Sequence, residues 1–459
     1  MRRRVSTALL VLQASVVALV LLLAAYVAAH GQQLSQSQPK PEATKTDAPA
    51  FDQARFDRLR AEGAEAIMNL DYETAKARFA EMAHEFPDHP GGSQYLAAAL
   101  WLKTLNSSRR LQSGIYNTDS FYEGDEDKVD PSVVAQFREL TRTARLLAQA
   151  RLKKNPDDVE MLYFLGATEA LKSAFEAAVE RRFLGAWRDS GDAVDLHGKV
   201  LKLDPNYHDA ELSIGMYDYI LGDLPWLYRQ FARLHGDSGS KKRGITELER
   251  VAQQGKWARD DARVLLIPLY KRERRFAEAA ANARELAAKY PRNYIFKLEA
   301  ADALVSQAET VRASDAAQAA KLEQEAFATF ESLLSERPPR GASSSKQIDQ
   351  IHFEYAEALF RAGQMERAAR EFVAASEVAN AEPSLATMAH LRAAQSLDLA
   401  GKRADALTQY KAVLARPDVY KAHDEAERGL REPYRKQSAS DAGGDDAAGA
   451  GAKSADVKN

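Results

Sequence analysis

The chain has no cysteine. That absence excludes disulfides, thiolate metal sites, a cysteine nucleophile and a lipid-modified N-terminal cysteine. It says little about compartment, because a well-packed exported protein holds without bridges. An excess of either charge is lacking too: 63 Lys and Arg face 66 Asp and Glu, for a net charge of −3. Residues 1–31 contribute only Arg2, Arg3 and Arg4, which leaves 60 cations against 66 anions, or −6, in the remainder. Nucleic acid demands a concentrated basic surface, so this balance predicts no nucleic-acid partner. The strict apolar–polar alternation of strands is missing. There is no G-x-S-x-G and there are only nine histidines, so nucleophilic catalysis has no support and the chain reads as a non-enzyme without cofactor or bound metal.

What is present is a mostly foldable chain of 459 residues, 45% hydrophobic and 28% charged. That length allows two or three ordinary domains or one extended repeat array. After the basic start comes an uncharged run from Val5 to Ala29, long enough as a helix to cross the hydrocarbon core. The basic flank stays on the cytoplasmic side, which predicts export of everything downstream. Small residues at Ala29 and Gly31 suit cleavage before Gln32, while the run exceeds an ordinary signal-peptide core. Residues 1–31 therefore fit either a cleaved signal peptide or a retained transmembrane anchor holding the chain to a membrane.

Residues 32–52 form a polar, aperiodic linker, and residues 431–459 end in a Gly/Ala/Asp-rich stretch read as a disordered tail. The stretch between, residues 53–430, has helical periodicity throughout, broken at Pro87, Pro156 and Pro205. An alanine lies twelve residues before a proline five times: Ala75/Pro87, Ala144/Pro156, Ala193/Pro205, Ala279/Pro291 and Ala326/Pro338. Phe79 and Phe330 follow their alanines by four, and Ala368/Phe372 and Ala406/Tyr410 repeat that step. Gly63, Ala356 and Ala394 sit twelve residues before their key alanines, and Gly363 and Gly401 precede second helices where a tight turn needs glycine. The expected unit is a helix hairpin. Small residues let two backbones approach, an aromatic fills the space beside them, and proline stops the second helix.

These positions resemble the tetratricopeptide repeat, whose A-x-x-x-F step and terminal proline they share. The resemblance implies an all-α fold: a right-handed superhelix of seven or eight irregular, lengthened helix pairs, closed by a final helix near residues 419–430. The intervals between key alanines are 69, 49, 86, 47, 42 and 38 residues. The family's period is about 34, so helices are lengthened, hairpins are inserted, and a weak unit is expected between Asn206 and Trp257. First-helix positions match incompletely: Leu165-Gly166 and Tyr270 fit, whereas Ile267 stands where a small residue belongs. A second, local resemblance covers about forty residues. Gly215/Tyr217, Leu224-Pro225, Gly236-Asp237 and Gly244/Ile245/Leu248 look like the central segment of the tetratricopeptide-repeat-39-like group, which includes inclusion-body clearance proteins.

Four places invite chemistry. The first, "ARLHGDSGSKKRGITELERV" (232–251), holds Gly236, Gly239, Gly244 and a basic triplet before a helix. A phosphate loop needs the Gly-Lys order after a strand, and both are missing, so it reads as an inter-helix joint with Asp237, Ser238 or Ser240 as N-cap. The second is the acidic loop 117–130, which hints at an EF-hand from Asp119, but Phe121 takes a ligand position and the closing Glu is absent. Third, Glu81, His84 and His89 contain an E-x-x-H step without a matching partner helix. Fourth, the concave wall of a repeat array comes mainly from first helices, which nominates Lys271, Phe353, Glu357, Phe360, Leu391, Gln395 and Asp398 as a partner-binding groove.

The reading that follows is an exported, membrane-associated scaffold that binds a protein or peptide of unknown identity in a cell envelope. Its Ala- and Arg-rich helices suggest a bacterial source, hence a periplasmic location. The alternative is an envelope enzyme or small-ligand binder using the inserted segments 105–130 and 224–243.

Overall fold

The computed structural model describes residues 51–109, 111, 129–180, 182–226, 229–230, 238–336 and 346–436. Residues 1–31, most of the linker, the core of the acidic loop, Gly236-Asp237, Pro338 and the tail beyond 436 lie outside them. Among the described residues there is no strand, and no helix is long and apolar enough to cross a membrane.

The first of two compact units ends at Glu354. It pairs α1 (Gln53–Met68) with α2 (Tyr72–Glu85), α3 (Gly91–Ser107) with α4 (Pro131–Leu152), and α5 (Val159–Ala178) with α6 (Phe183–Leu203). It continues with α7 (Glu211–Asp223) and α8 (Lys241–Gln254), α9 (Arg259–Arg272) and α10 (Phe276–Lys289), and α11 (Tyr294–Val311) and α12 (Ala316–Ser335). The weak unit expected between Asn206 and Trp257 is the α7–α8 pair. Helix α13 (Ile348–Arg361) begins before the unit boundary and ends after it. The second unit holds α14 (Met365–Glu377), α15 (Pro383–Leu399), α16 (Arg403–Leu414) and a closing α17 (Ala422–Arg431).

Local chemistry starts and stops these helices. Side-chain oxygens of Asp52, Asp71, Asp130, Asp158, Asn293 and Asp315 accept first-turn backbone N–H groups. The key alanines Ala75, Ala144, Ala193, Ala279, Ala326, Ala368 and Ala406 are at most 1% exposed, so a larger side chain at any of them would push a pair of helices apart. A Cβ built on Gly63 would stand 2.3 Å from the Phe79 ring, which is why a small residue sits twelve before the alanine. Phe330, Phe372 and Tyr410 are likewise buried. The long intervals come partly from helix length: α4, α6 and α12 run 22, 21 and 20 residues, against 14 for α2 and α10.

The first unit also closes on itself. Met68 of α1 packs with Ile267, Leu286, Tyr290 and Phe296 from α9–α11, so Ile267 is large because it reaches back to the first hairpin. Asn293 Nδ2 donates to the Met68 carbonyl at 2.8 Å, and Gln347 Nε2 to that of Asn106 at 2.8 Å. Arg109 makes a two-pronged contact to Asp349 at 3.0–3.3 Å. At the centre, Arg60 is fully buried: it donates to Tyr95 Oη at 2.7 Å and lies 4.6 Å over the Trp257 ring.

Stability can be tested at two particular residues. The residue five before the key alanine is left-handed in four hairpins: Gly363 and Gly401, but also Leu70 (φ 61°) and Arg274 (φ 59°). Arg274 is exposed, so Arg274→Gly removes the left-handed penalty and loses no packing. Urea unfolding should show a gain of about 0.5–1 kcal/mol, the left-handed cost less the entropy glycine adds to the unfolded chain.

His197 is the second. It sits buried between α5, α6 and α7, with Nε2 facing the Tyr163 carbonyl at 3.1 Å and Nδ1 facing Ser213 Oγ at 2.5 Å. The carbonyl can only accept, so Nε2 donates and Nδ1 receives the serine proton. Burial pulls its pKa from 6.5 to about 4. The unfolded chain therefore binds a proton between those values that the folded chain refuses. The stability His197 supplies is complete above pH 6.5 and is lost as pH falls toward 4, by up to about 3 kcal/mol. The gap in urea midpoint between the parent and His197→Gln should narrow over that window, and an unchanged gap would contradict the assignment.

Candidate functional site

The glycine-rich stretch before α8 is explained by helix crossing. A Cβ on Gly244 would lie 2.3 Å from the Gly215 carbonyl, one on Gly239 2.3 Å from Leu221 Cβ, and one on Gly222 2.4 Å from the Lys241 nitrogen. Ser240 is the N-cap, its hydroxyl accepting from the Arg243 amide at 3.3 Å. Two members of the basic triplet are committed internally: Lys241 to Asp223 and Glu273, Arg243 to Asp218. Of the inserted segments named for a small-ligand site, this described portion is tied up in ion pairs.

The metal candidates separate. Glu81 binds Arg55 and Arg78, His84 points to solvent, and His89 is buried with Nδ1 accepting from the Gly91 amide at 3.0 Å. Of the acidic loop only its end is described, where Asp130 caps α4 by accepting from the Ser132 amide at 2.8 Å. A cluster with no sequence signal appears instead: Glu169, Asp189 and Asp192, on α5 and α6, bring carboxylate oxygens within 4.8 Å of one another. Lys172 already bridges two of them, 2.9 Å from Glu169 and 3.0 Å from Asp189, so an ammonium stands where a cation would. Beside it, α4 and α5 line a half-open cavity of about 220 Å³ that includes the stacked Phe137 and Phe175 rings, 3.8 Å between centroids. Glu176 lines it, its pKa raised by burial and by Asp189.

The seven groove residues fall into two groups. In the first unit, Lys271 is enclosed: its ammonium contacts Glu299 at 2.7 Å and Asp302 at 2.5 Å. Burial alone would lower its pKa, but the two carboxylates override that and hold it above the ordinary lysine value. Phe353 is half-buried near the end of that unit. The other five converge in the second unit on the first-helix face of α13 and α15. Leu391 is core, packed with Ala394, Tyr410 and Val413. Glu357 grips Arg392 through two 2.6 Å hydrogen bonds, and Gln395 Oε1 accepts a third from it at 2.9 Å. The guanidinium lies 4.1 Å over the Phe360 ring. Sequence reasoning missed Arg392, whose only signal was its place one position after Leu391.

Asp398 finishes the row. Its carboxylate, fully buried, accepts from Arg403 at 2.9 Å and from the Tyr410 hydroxyl at 2.9 Å. Arg403 also donates to the Gly429 and Leu430 carbonyls at 2.7 and 3.0 Å, tying the end of α17 to the same node. Beyond α17 the chain turns extended at Glu432 (φ −134°, ψ 139°), as the residue before Pro433 must. It runs back across this face. The Tyr434 amide donates to Asp398 Oδ2 at 2.7 Å, and the Lys436 ammonium lies 5.8 Å from the Phe360 ring centre.

No family model and no curated protein matches the chain. Solved structures resemble it loosely. A human IFIT1 dimer with PPP-AAAA shares 12% identity over 82% of this chain and 84% of that one, with a TM-score of 0.39. Yeast Tom70 shares 15% over 82% and 88%, at 0.33, and a tetratricopeptide repeat protein from Parabacteroides merdae 14% over 73% and 99%, at 0.29. Superpositions this loose carry no argument about function. The packing itself carries the fold: small residue, buried alanine, aromatic and stopping proline recur as in tetratricopeptide hairpins, here Gly63, Ala75, Phe79 and Pro87.

A close approach at Gly429 seats the second unit's closing helix. A Cβ on Gly429 would stand 2.2 Å from the Tyr410 ring. Gly429→Ala should push α17 off Tyr410 and cost about 1–3 kcal/mol, as overpacking does. Thermal melting and protease cutting near residue 420 would register it.

Proposed function

We propose that the chain is an exported scaffold, anchored to or released from a membrane by residues 1–31, that docks another protein on the α13–α15 face of its second unit. One observation carries the docking claim. This face lines up a carboxylate, a guanidinium stacked on an aromatic ring and a second carboxylate, and an extended backbone already lies on it with its amide bonded to Asp398. Extended segments are what helical repeat arrays hold in their first-helix faces. Export is supported by the basic start and the uncharged run Val5–Ala29. The compartment proposed is a bacterial periplasm, and the partner is a protein or peptide rather than nucleic acid.

Cross-linking in intact envelopes followed by mass spectrometry tests the docking surface. Glu357→Lys with Phe360→Ala should lose most of at least one partner that the parent enriches, while the melting midpoint reports whether the fold holds. Equal enrichment by both chains would remove the α13–α15 face from consideration. Protease added to cells with a permeabilised outer envelope should digest the C-terminal region, and protection there would overturn export.

A further inference from the structure

Resting on the reading that this face docks an extended segment, we infer that residues 432–436 are a resident copy of the ligand. Its preferred occupant then is an extended segment with a lysine and, two residues before it, a residue whose backbone amide is free to donate. The geometry assigns each element. The Tyr434 amide donates to Asp398 Oδ2, the same oxygen that accepts from the Tyr410 hydroxyl at 2.9 Å and from Arg403 at 3.1 Å. Two residues on, in extended chain, a side chain returns to the same side of the backbone, and the Lys436 ammonium there lies 5.8 Å from the centre of the buried Phe360 ring. Arg392 lies over the same ring at 4.1 Å. Charge contributes little: Arg392 and Arg403 pair with Glu357 and Asp398 on the face, which leaves Glu425, and in the segment Arg435 and Lys436 exceed Glu432 by one.

Because the segment is tethered directly to α17, its local concentration on the face is on the order of millimolar. A partner presenting the same pattern from outside must displace it, so the free chain is self-occluded. The segment is held by one backbone hydrogen bond and one cation–ring contact, few enough for a partner with additional contacts to replace it.

The test uses a fluorescent peptide of residues 432–436 and anisotropy with purified chains. A chain ending at Arg431 should bind it saturably, and the full chain at least tenfold more weakly. A peptide carrying Glu in place of Lys436 should lose about tenfold on the shortened chain. Should truncation unfold the second unit, the full-length chain with Tyr434→Pro, which removes the amide donor, and Lys436→Glu is the alternative opened form and should bind the parent peptide as the shortened chain would. Equal affinity for full-length and opened chains, or no saturable binding up to millimolar concentration, overturns the inference. These outcomes are independent of the envelope cross-linking. A docking face without a resident ligand loses its partner in the Glu357→Lys, Phe360→Ala chain yet shows no difference in peptide binding. A resident segment without a partner gives the reverse.

Discussion

Everything in this protein depends on two helix backbones approaching more closely than ordinary side chains permit. An isolated hairpin cannot bury its apolar face, and an array gains a continuous core only if each pair is thin enough to stack. The chain meets that constraint with small residues at fixed places: Gly63 under Phe79, Gly166 under His197, Gly215 against Gly244, Gly429 under Tyr410. In each case an added Cβ would fall within 3 Å of a ring or a carbonyl. The fully buried alanines of the second helices do the same work with one more carbon. Because the contacts are between neighbours, a fault at one hairpin unseats the next. That is why the terminal pair needs a cap, α17, fixed by both the Gly429 contact and the Arg403 hydrogen bonds to its last carbonyls.

The two units use their first-helix faces differently. In the first unit the chain spends that surface on itself. Arg60 is buried among Tyr95, Phe164 and Trp257, Lys271 is held by two acids, and α1 is bound to α9–α11 through Met68 and Asn293. A buried cation left without its partners would cost several kcal/mol, so these groups are poor candidates for exchange with a ligand. The corresponding row in the second unit is also buried at Phe360, Gln395 and the Asp398 carboxylate, while Glu357 and Arg392 stay partly exposed. The docking proposed for the second unit rests on the extended backbone that lies on its row, not on the fold as such.

How much was legible in the sequence follows from the range of each interaction. The hairpin alanines, Gly63, Gly363 and Gly401, and the stopping prolines through Pro291 are local, repeat, and were readable. Pro338 lies outside the described residues. The left-handed turns at Leu70 and Arg274 were hidden because neither is glycine, although both stand at the same offset as Gly363 and Gly401. Closure of the first unit could not be read: Arg109 and Asp349 are 240 positions apart, and no period links them. The face of the second unit was half legible. Period placed Glu357, Phe360, Gln395 and Asp398 on one side, but that Arg392 joins Glu357 to Phe360 depends on a pairing 35 residues away. Leu391 shows the limit of periodicity, since the period that sends one residue to the face sends its neighbour into the core.

The charge pattern bears on how such a face would find its ligand. Net charge is −3, and the basic run before α8 has Lys241 and Arg243 bound to acids on neighbouring helices. With charges matched internally, long-range steering is weak, and surface pairs add little to stability or to recognition across a Debye length of about 8 Å. Selectivity must then come from contacts made at short range. A carboxylate buried at Asp398 that accepts a backbone amide reads chain conformation rather than sequence, while a ring at Phe360 facing a cation reads a side chain two residues along. Under the proposed docking, a tethered segment making both contacts would set a threshold for recognition, since a ligand satisfying only one of them would not displace it.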